Sequence, residues 1–318
     1  MNSVRLHQKI MQEFDRIGMT VRQSQQVNLA LWCQGLASSD DCHLTNLALG
    51  LPMAAERESL VQRLHRSLKD ERMGWHASYG CLVRHLFRHW QGKEVALVMD
   101  RTDLERRWSI LMLGAAYQGR LLPLAWRVLP FGGTSAEVQK ALLRQIRPYL
   151  PAVRIHYYGD CEFRAVEVQA LCRKYAWHWQ VGIKGDTYLR QSDGSWLQIR
   201  QLPLSKGERR YWQQVYLTQQ QPFGPVNLIA EWAENQDAPR YWALDLPADP
   251  QAFRRGRKRF WIEPTFRDWK SYGFDLERSQ IEKPQRLQIL ILGMAVSTLW
   301  LFHLGEWVRC HGHDHWLE

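Results

Sequence analysis

Between Arg254 and Lys270 the chain reads RRGRKRFWIEPTFRDWK, and seven of these seventeen residues are basic: Arg254, Arg255, Arg257, Lys258, Arg259, Arg267 and Lys270. The acidic residues of the stretch are Glu263 and Asp268. On a helix, Arg259, Glu263, Arg267 and Lys270 follow at spacings of four, four and three, which places them on one face. Ile262, Phe266 and Trp269 fall on another face suited to a core. One carboxylate framed by cations is what a phosphoryl-transfer site uses to hold a metal ion and grip a phosphate backbone. Taken alone, the stretch is better read as a solvated basic face with intrahelical ion pairs. Pro264 lacks an N–H and disfavours helical geometry at Glu263, so a helix starts or kinks there.

Two upstream carboxylates favour the chemical reading, and each sits where an apolar run stops. Val95 to Met99 is a continuous apolar strand ending at Asp100, and Val153 to Tyr158 is another, followed by Gly159-Asp160. A buried strand fixes a ligand rigidly at its end. The elements around them come in a definite order. Trp108 to Tyr117 and Leu121 to Leu129 read as strands joined by a Gln118-Gly119 turn. Thr134, as N-cap, opens a helix to Tyr149. A helix from Phe163 to Tyr175 and a strand from Trp177 to Ile183 follow.

Residues 1–90 read as all-helical. Leu44–Leu49 and Ala55–Leu68, joined through Gly50-Leu51-Pro52, have the outline of a helix-turn-helix, with Arg57, Arg63, Arg66 and Lys69 on the solvent side. Any small helical bundle shares that outline. Residues 187–246 break into short strands between Gly, Pro, Asn and Asp turns. Trp196, Trp212, Trp232 and Trp242 lie there, suited to packing within those strands or to stacking on unpaired bases.

Composition bounds the rest. The chain has 318 residues, 45% of them hydrophobic and 16 of them Trp, which excludes a disordered chain. A net charge of +10 favours a polyanionic partner, nucleic acid before membrane. The six cysteines form no C-x-x-C pair, consistent with reduced thiols in a cytoplasmic compartment. The first residues, MNSVRLHQKIMQEFDRIG, lack the apolar run of a signal peptide. Leu287 to Leu304 is apolar enough to reach across a bilayer but stands alone, and is expected to be a buried core helix. The tail places Cys310, His311, His313, Asp314 and His315 in a spacing unlike a structural zinc site.

Three strands joined by turns, then helix, strand, helix, strand, is the element order of an RNase H-like fold. With Asp100, Asp160 and the Arg259/Glu263/Lys270 helix, the chain resembles a DDE transposase of bacterial insertion sequences. The branch is the one with a β-strand insertion before the Glu and a Y-(2)-R-(3)-E-(6)-K signature. Phe266-Arg267-Asp268 and Gly273-Phe274-Asp275-Leu276-Glu277 are similar to that branch too, and the resemblance spans about Leu44 to Leu304. Gly256 stands where the signature has Tyr, which removes a phenol from contact with DNA.

The resemblance implies an α/β, RNase H-like mixed sheet flanked by helices, with four parts. These are a helical DNA-binding region at 1–90, a catalytic core at 91–186 resumed at 247–318, and a β-rich insertion at 187–246. It implies Asp100, Asp160 and Glu263 as ligands of two Mg²⁺ or Mn²⁺ ions. Arg259 and Lys270 then bind phosphates beside the scissile bond, and Arg254, Arg255, Arg257, Lys258 and Arg267 add DNA grip. Double-stranded DNA is the implied partner, with a homodimer in the DNA complex, and cut-and-paste transposition the implied activity. A descendant that binds DNA without cutting, and a nuclease or resolvase that cuts without joining, remain the alternatives.

Overall fold

The structure is a computed structural model describing residues 3–312 apart from 20, 53–54, 74–78, 89 and 91. Among the described residues, ten strands form one sheet in the order β3-β2-β1-β4-β5-β10-β9-β8-β6-β7. β1 (Glu94–Leu104), β2 (Trp108–Tyr117) and β3 (Arg120–Pro130) make an antiparallel meander. β4 (Arg154–Gly159) and β5 (His178–Ile183) continue it parallel to β1. Strands buried on both faces need no polar alternation, which is why Val95 to Met99 is apolar throughout.

β1 does not stop at Asp100, as the apolar run suggested; it pairs with β2 as far as Leu104↔Trp108. The turn that closes this hairpin has Glu105 and Arg106 at φ 47° and 56°, with Arg107 N–H donating to the Leu104 carbonyl. That is a primed two-residue turn made without Gly or Asn. Gln118-Gly119, at φ 47° and 80°, turns β2 into β3 as expected. The helix after β3, α6 (Ala136–Ile146), is capped by Ser135 rather than Thr134.

Before the sheet come α1 (Ser3–Arg16), α2 (Gln23–Ala37), α3 (Leu44–Leu47), α4 (Arg57–Ser67) and α5 (Gly80–Arg88). α2 is buried at Gln25, Gln26 and from Leu29 to Leu36, and its buried glutamines are matched individually: Gln25 donates to Asp70, Gln26 to Asp15 and Gln34 to the Gly50 carbonyl. α2 packs on α10 (Pro284–Cys310), where Gly293 lets Trp32 approach closely. α10 is the expected core helix over Leu287–Ser297, but Leu301, Leu304 and Trp307 in its second half are exposed. It is the one helix among the described residues long and apolar enough to cross a membrane.

Residues 187–246 supply β6 (Tyr188–Arg190), β7 (Trp196–Gln198), β8 (Arg209–Leu217), β9 (Phe223–Glu231) and β10 (Arg240–Leu244). They extend the same sheet, because β10 returns to pair antiparallel with β5. β5 is buried almost throughout, and without β10 its edge would leave backbone groups unpaired. Trp196, Trp212, Trp232 and Trp242 are all half-buried; Trp242 packs edge-on against Phe253, and Trp232 Nε1 donates to the Gln236 carbonyl.

Alternation along β1, β4 and β5 sorts side chains onto two faces. On one, Tyr157 reaches Met99, and α7 (Val166–Lys174) packs over β5 with Val168, Leu171 and Cys172 buried. The other face carries Glu94, His156, Tyr158, His178 and Gln180, and the chain from Pro250 to Tyr272 lies across it. Asp249 starts that run by accepting from Ala252 N–H, with Pro250 at the first helical position.

Candidate active site

The parallel pairing brings the first two carboxylates near each other. β1 and β4 pair from Glu94↔Arg154 to Val98↔Tyr158, and two residues beyond that last pair Asp100 and Asp160 are close enough for the Asp160 charge to raise the Asp100 carboxyl. Asp160 follows β4 directly and caps a 3-10 turn (Cys161–Phe163), its Oδ1 accepting from Glu162 N–H at 2.8 Å. Gly182 on β5 makes room for this turn. A Cβ there would meet Cys161 N at 3.0 Å and the Asp160 carbonyl carbon at 3.2 Å.

Glu263 arrives from the helical run, which changes pitch as it crosses the sheet. α8 (Pro250–Gly256) passes into a 3-10 segment (Arg257–Trp261), then α9 (Ile262–Arg267), then a π turn (Asp268–Tyr272) closed by Gly273 N–H on the Asp268 carbonyl. Pro264 has no N–H to offer the Phe260 carbonyl, so the turn before it tightens. The single α-helical face expected for Arg259, Glu263, Arg267 and Lys270 is therefore redistributed. Arg259 and Glu263 stay together, with Nη1 3.5 Å from Oε1. Lys270 turns to Glu277 at 2.9 Å, and the exposed Arg267 lies over the Tyr272 ring.

Arg259 also reaches the sheet, its Nη1 3.8 Å from Asp100 Oδ2, so one guanidinium stands between two of the three carboxylates. Asp100 is mostly buried and its carboxyl is pushed up to about 6. Burial is the main cause, opposed by Arg259 and the Arg101 N–H and reinforced by Asp160 and Glu263. Among the described residues, no three His, Cys, Asp or Glu side chains close tightly enough to hold a metal ion as they stand. The donor set nonetheless suits a hard divalent cation: three carboxylates, one within β1 and one directly after β4, with a positive group already drawn into the gap.

The other basic residues divide by what they touch. Lys258 pairs with Glu94 at 2.8 Å and Arg255 with Asp249 at 3.3 Å, while Arg254 and Arg257 are exposed. Gly256 lies against β5, where a Cβ would meet Gln180 Nε2 at 2.5 Å, so a tyrosine at this position would displace Gln180. In the N-terminal region, Arg57 bonds the Thr45 carbonyl and Arg63 bonds Asn28, leaving Arg66 and Lys69 exposed. Of the tail cluster, His313, Asp314 and His315 lie outside the described residues.

A set of residues the sequence reading missed buttresses the aspartates. Arg101 bonds Glu162 (3.0 Å) and Asp103 (2.5 Å), and Glu162 accepts from Thr134 N–H (2.9 Å) and Oγ (2.8 Å). The turns after β3 and β4 are thereby tied to β1. Arg101 follows Asp100 directly and Glu162 lies two beyond Asp160; that adjacency was the available signal.

Residues 91–300 match the family described as Transposase DDE domain. Among solved structures, the piggyBac transposase synaptic complex with hairpin DNA has a similar fold, with a TM-score of 0.51. The identity is 10% over 92% of this chain and 70% of that chain, so this likeness concerns fold alone. No curated protein matches the chain in sequence. An RNase H-like sheet, and a family match over most of the chain, show that this protein belongs to the DDE transposase family.

Proposed function

We propose that the chain is a cut-and-paste DNA transposase: it binds the inverted repeats at its element's ends, cleaves a strand there and joins the freed 3′ end to a target. The reading is supported by the nearness of Asp160 to Asp100 at the ends of the β1–β4 pairing, together with the Arg259 guanidinium that stands between Asp100 and Glu263. Asp100, Asp160 and Glu263 are the residues that would hold two Mg²⁺ or Mn²⁺ ions. Bound there, such ions make water nucleophilic and stabilise the entering and leaving oxygens of an in-line displacement. The chain's own part is positional. Asp100 is fixed by β1 and Asp160 by the 3-10 turn it caps, while Glu263, more than half exposed, sits on a helical run and is the ligand able to close on them. Arg259 and Lys270 hold the phosphates flanking the scissile bond, Arg254, Arg257 and Arg267 add salt-sensitive grip, and Lys258 and Arg255 anchor the run to its surroundings. Repeat recognition falls to the N-terminal helices through Arg66 and Lys69. Two ends handled together call for a homodimer on DNA, acting in the cytoplasm.

A labelled inverted-repeat substrate with Mg²⁺ tests this. Wild type should nick and join. Asp100→Ala should lose both steps by on the order of 10³-fold or more while still binding the ends. Cleavage that survives this change refutes the site. Binding without nicking by wild type would mark a non-catalytic descendant, and nicking without joining a nuclease. A hairpin end, the DNA form in the piggyBac complex, is scored on the same gel.

A further inference from the structure

Arg259 is placed in a way that holding the fold together does not account for. Its side chain is 19% exposed, and Nη1 lies 3.8 Å from Asp100 and 3.5 Å from Glu263. That nitrogen is buried and has no hydrogen-bond partner. A guanidinium beside a carboxylate ordinarily settles into a forked pair of short bonds, and an unbonded buried donor is costly. Here one positive group is instead shared between two acids, its carbon 4.7 Å above the Phe260 ring.

We propose that Arg259 is a tethered cation that occupies the gap between Asp100 and Glu263 until DNA arrives, and thereby makes metal binding depend on DNA. This rests on the reading of Asp100, Asp160 and Glu263 as metal ligands. A positive charge within 4 Å of two ligands opposes entry of a dication between them. A DNA phosphate offers the two oxygens in fork geometry that the guanidinium lacks at this site. Transfer of Arg259 onto phosphate opens the gap, and leaves Glu263 without its bridge and free to approach Asp100. By linkage, whatever factor DNA adds to metal affinity, metal adds to DNA affinity. Cleavage chemistry is then armed at the element's ends and not in the free protein.

The test is Mn²⁺ binding to the full chain, followed by the paramagnetic signal of free Mn²⁺, with and without inverted-repeat DNA. Without DNA, Arg259→Gln should bind Mn²⁺ about tenfold more tightly than wild type or beyond, and Arg259→Lys, which keeps the charge, should not. DNA should tighten Mn²⁺ binding by wild type but much less by Arg259→Gln. Arg259→Met, which keeps the aliphatic contact with Phe260, should repeat the gain and guards against a folding defect in the glutamine variant. Thermal melting in chelator and in Mn²⁺ adds a second readout, with Mn²⁺ raising the neutral variants' transition more than wild type's. If both neutral variants bind Mn²⁺ no better than wild type while Asp100→Asn binds it worse, the tethered-cation role is overturned and the ligand reading stands. If Asp100→Asn binds Mn²⁺ as wild type does, with DNA present, the ligand reading itself falls.

Discussion

Gly182 sets the position of a catalytic candidate it does not touch through a side chain. Because a Cβ there meets the backbone of Asp160 and Cys161 at 3.0–3.2 Å, Gly182→Ala should shift Asp160 by a few tenths of an ångström. We expect strand cleavage to slow on the order of tenfold while the melting temperature changes little, read by single-turnover nicking beside thermal denaturation. Unchanged cleavage would mean the turn absorbs the methyl group. At this scale the sequence is legible where an apolar run breaks on an acid: Asp100 and Asp160 announce themselves that way. The Arg101–Glu162–Thr134 bracing does not, since its partners lie 61 and 28 residues apart and no periodicity links them. Glu263 was readable from its basic surroundings, but its link to Asp100 through one guanidinium belongs to three dimensions.

Among the elements, the helical run that bears Glu263 departs furthest from ideal expectation. A uniform period of 3.6 residues puts Arg259 and Lys270 on one line, whereas the 3-10 segment before Pro264 and the π turn after Arg267 rotate them apart. Lys270 consequently faces Glu277, with its ammonium still near the surface. Lys270→Ala should weaken end binding and lower the slope of log affinity against log salt by about one, measured by fluorescence anisotropy over a salt series. An unchanged slope would assign Lys270 to the Glu277 pair alone. The hairpin turn at Glu105-Arg106 was hidden for a related reason: its backbone demands positive φ at two residues that carry no turn signature. Gln118-Gly119, which does carry one, was plain.

For the molecule as a whole, the strands of residues 187–246 matter through where they attach. Composition distinguishes them from the core, yet β10 lies between β5 and β9 in one continuous sheet. Removing 187–246 should therefore not excise a module. The shortened chain is expected to aggregate or lose its cooperative melting transition, judged by size-exclusion chromatography and calorimetry, because β5 would become a bare apolar edge. A monodisperse, cooperatively melting product would instead establish those strands as an independent unit. The order of elements up to β5 was evident from the sequence, since it depends on local patterning. Where β10 returns could not be read, because pairing such as Tyr241 with Ile183, 58 residues apart, leaves no local trace.

On the proposed reading, that late-arriving strand also bears on when the cutting site can form during synthesis. Synthesis lays down Asp100 and Asp160 early, but the edge of β5 stays open until residue 240 emerges, and Glu263 comes later still. A translation product cut short between β5 and residue 240 holds two of the three acids and an unpaired β edge. On the proposed reading such a fragment lacks the third ligand and exposes a bare β edge, so the cutting site is complete only once Glu263 has been made.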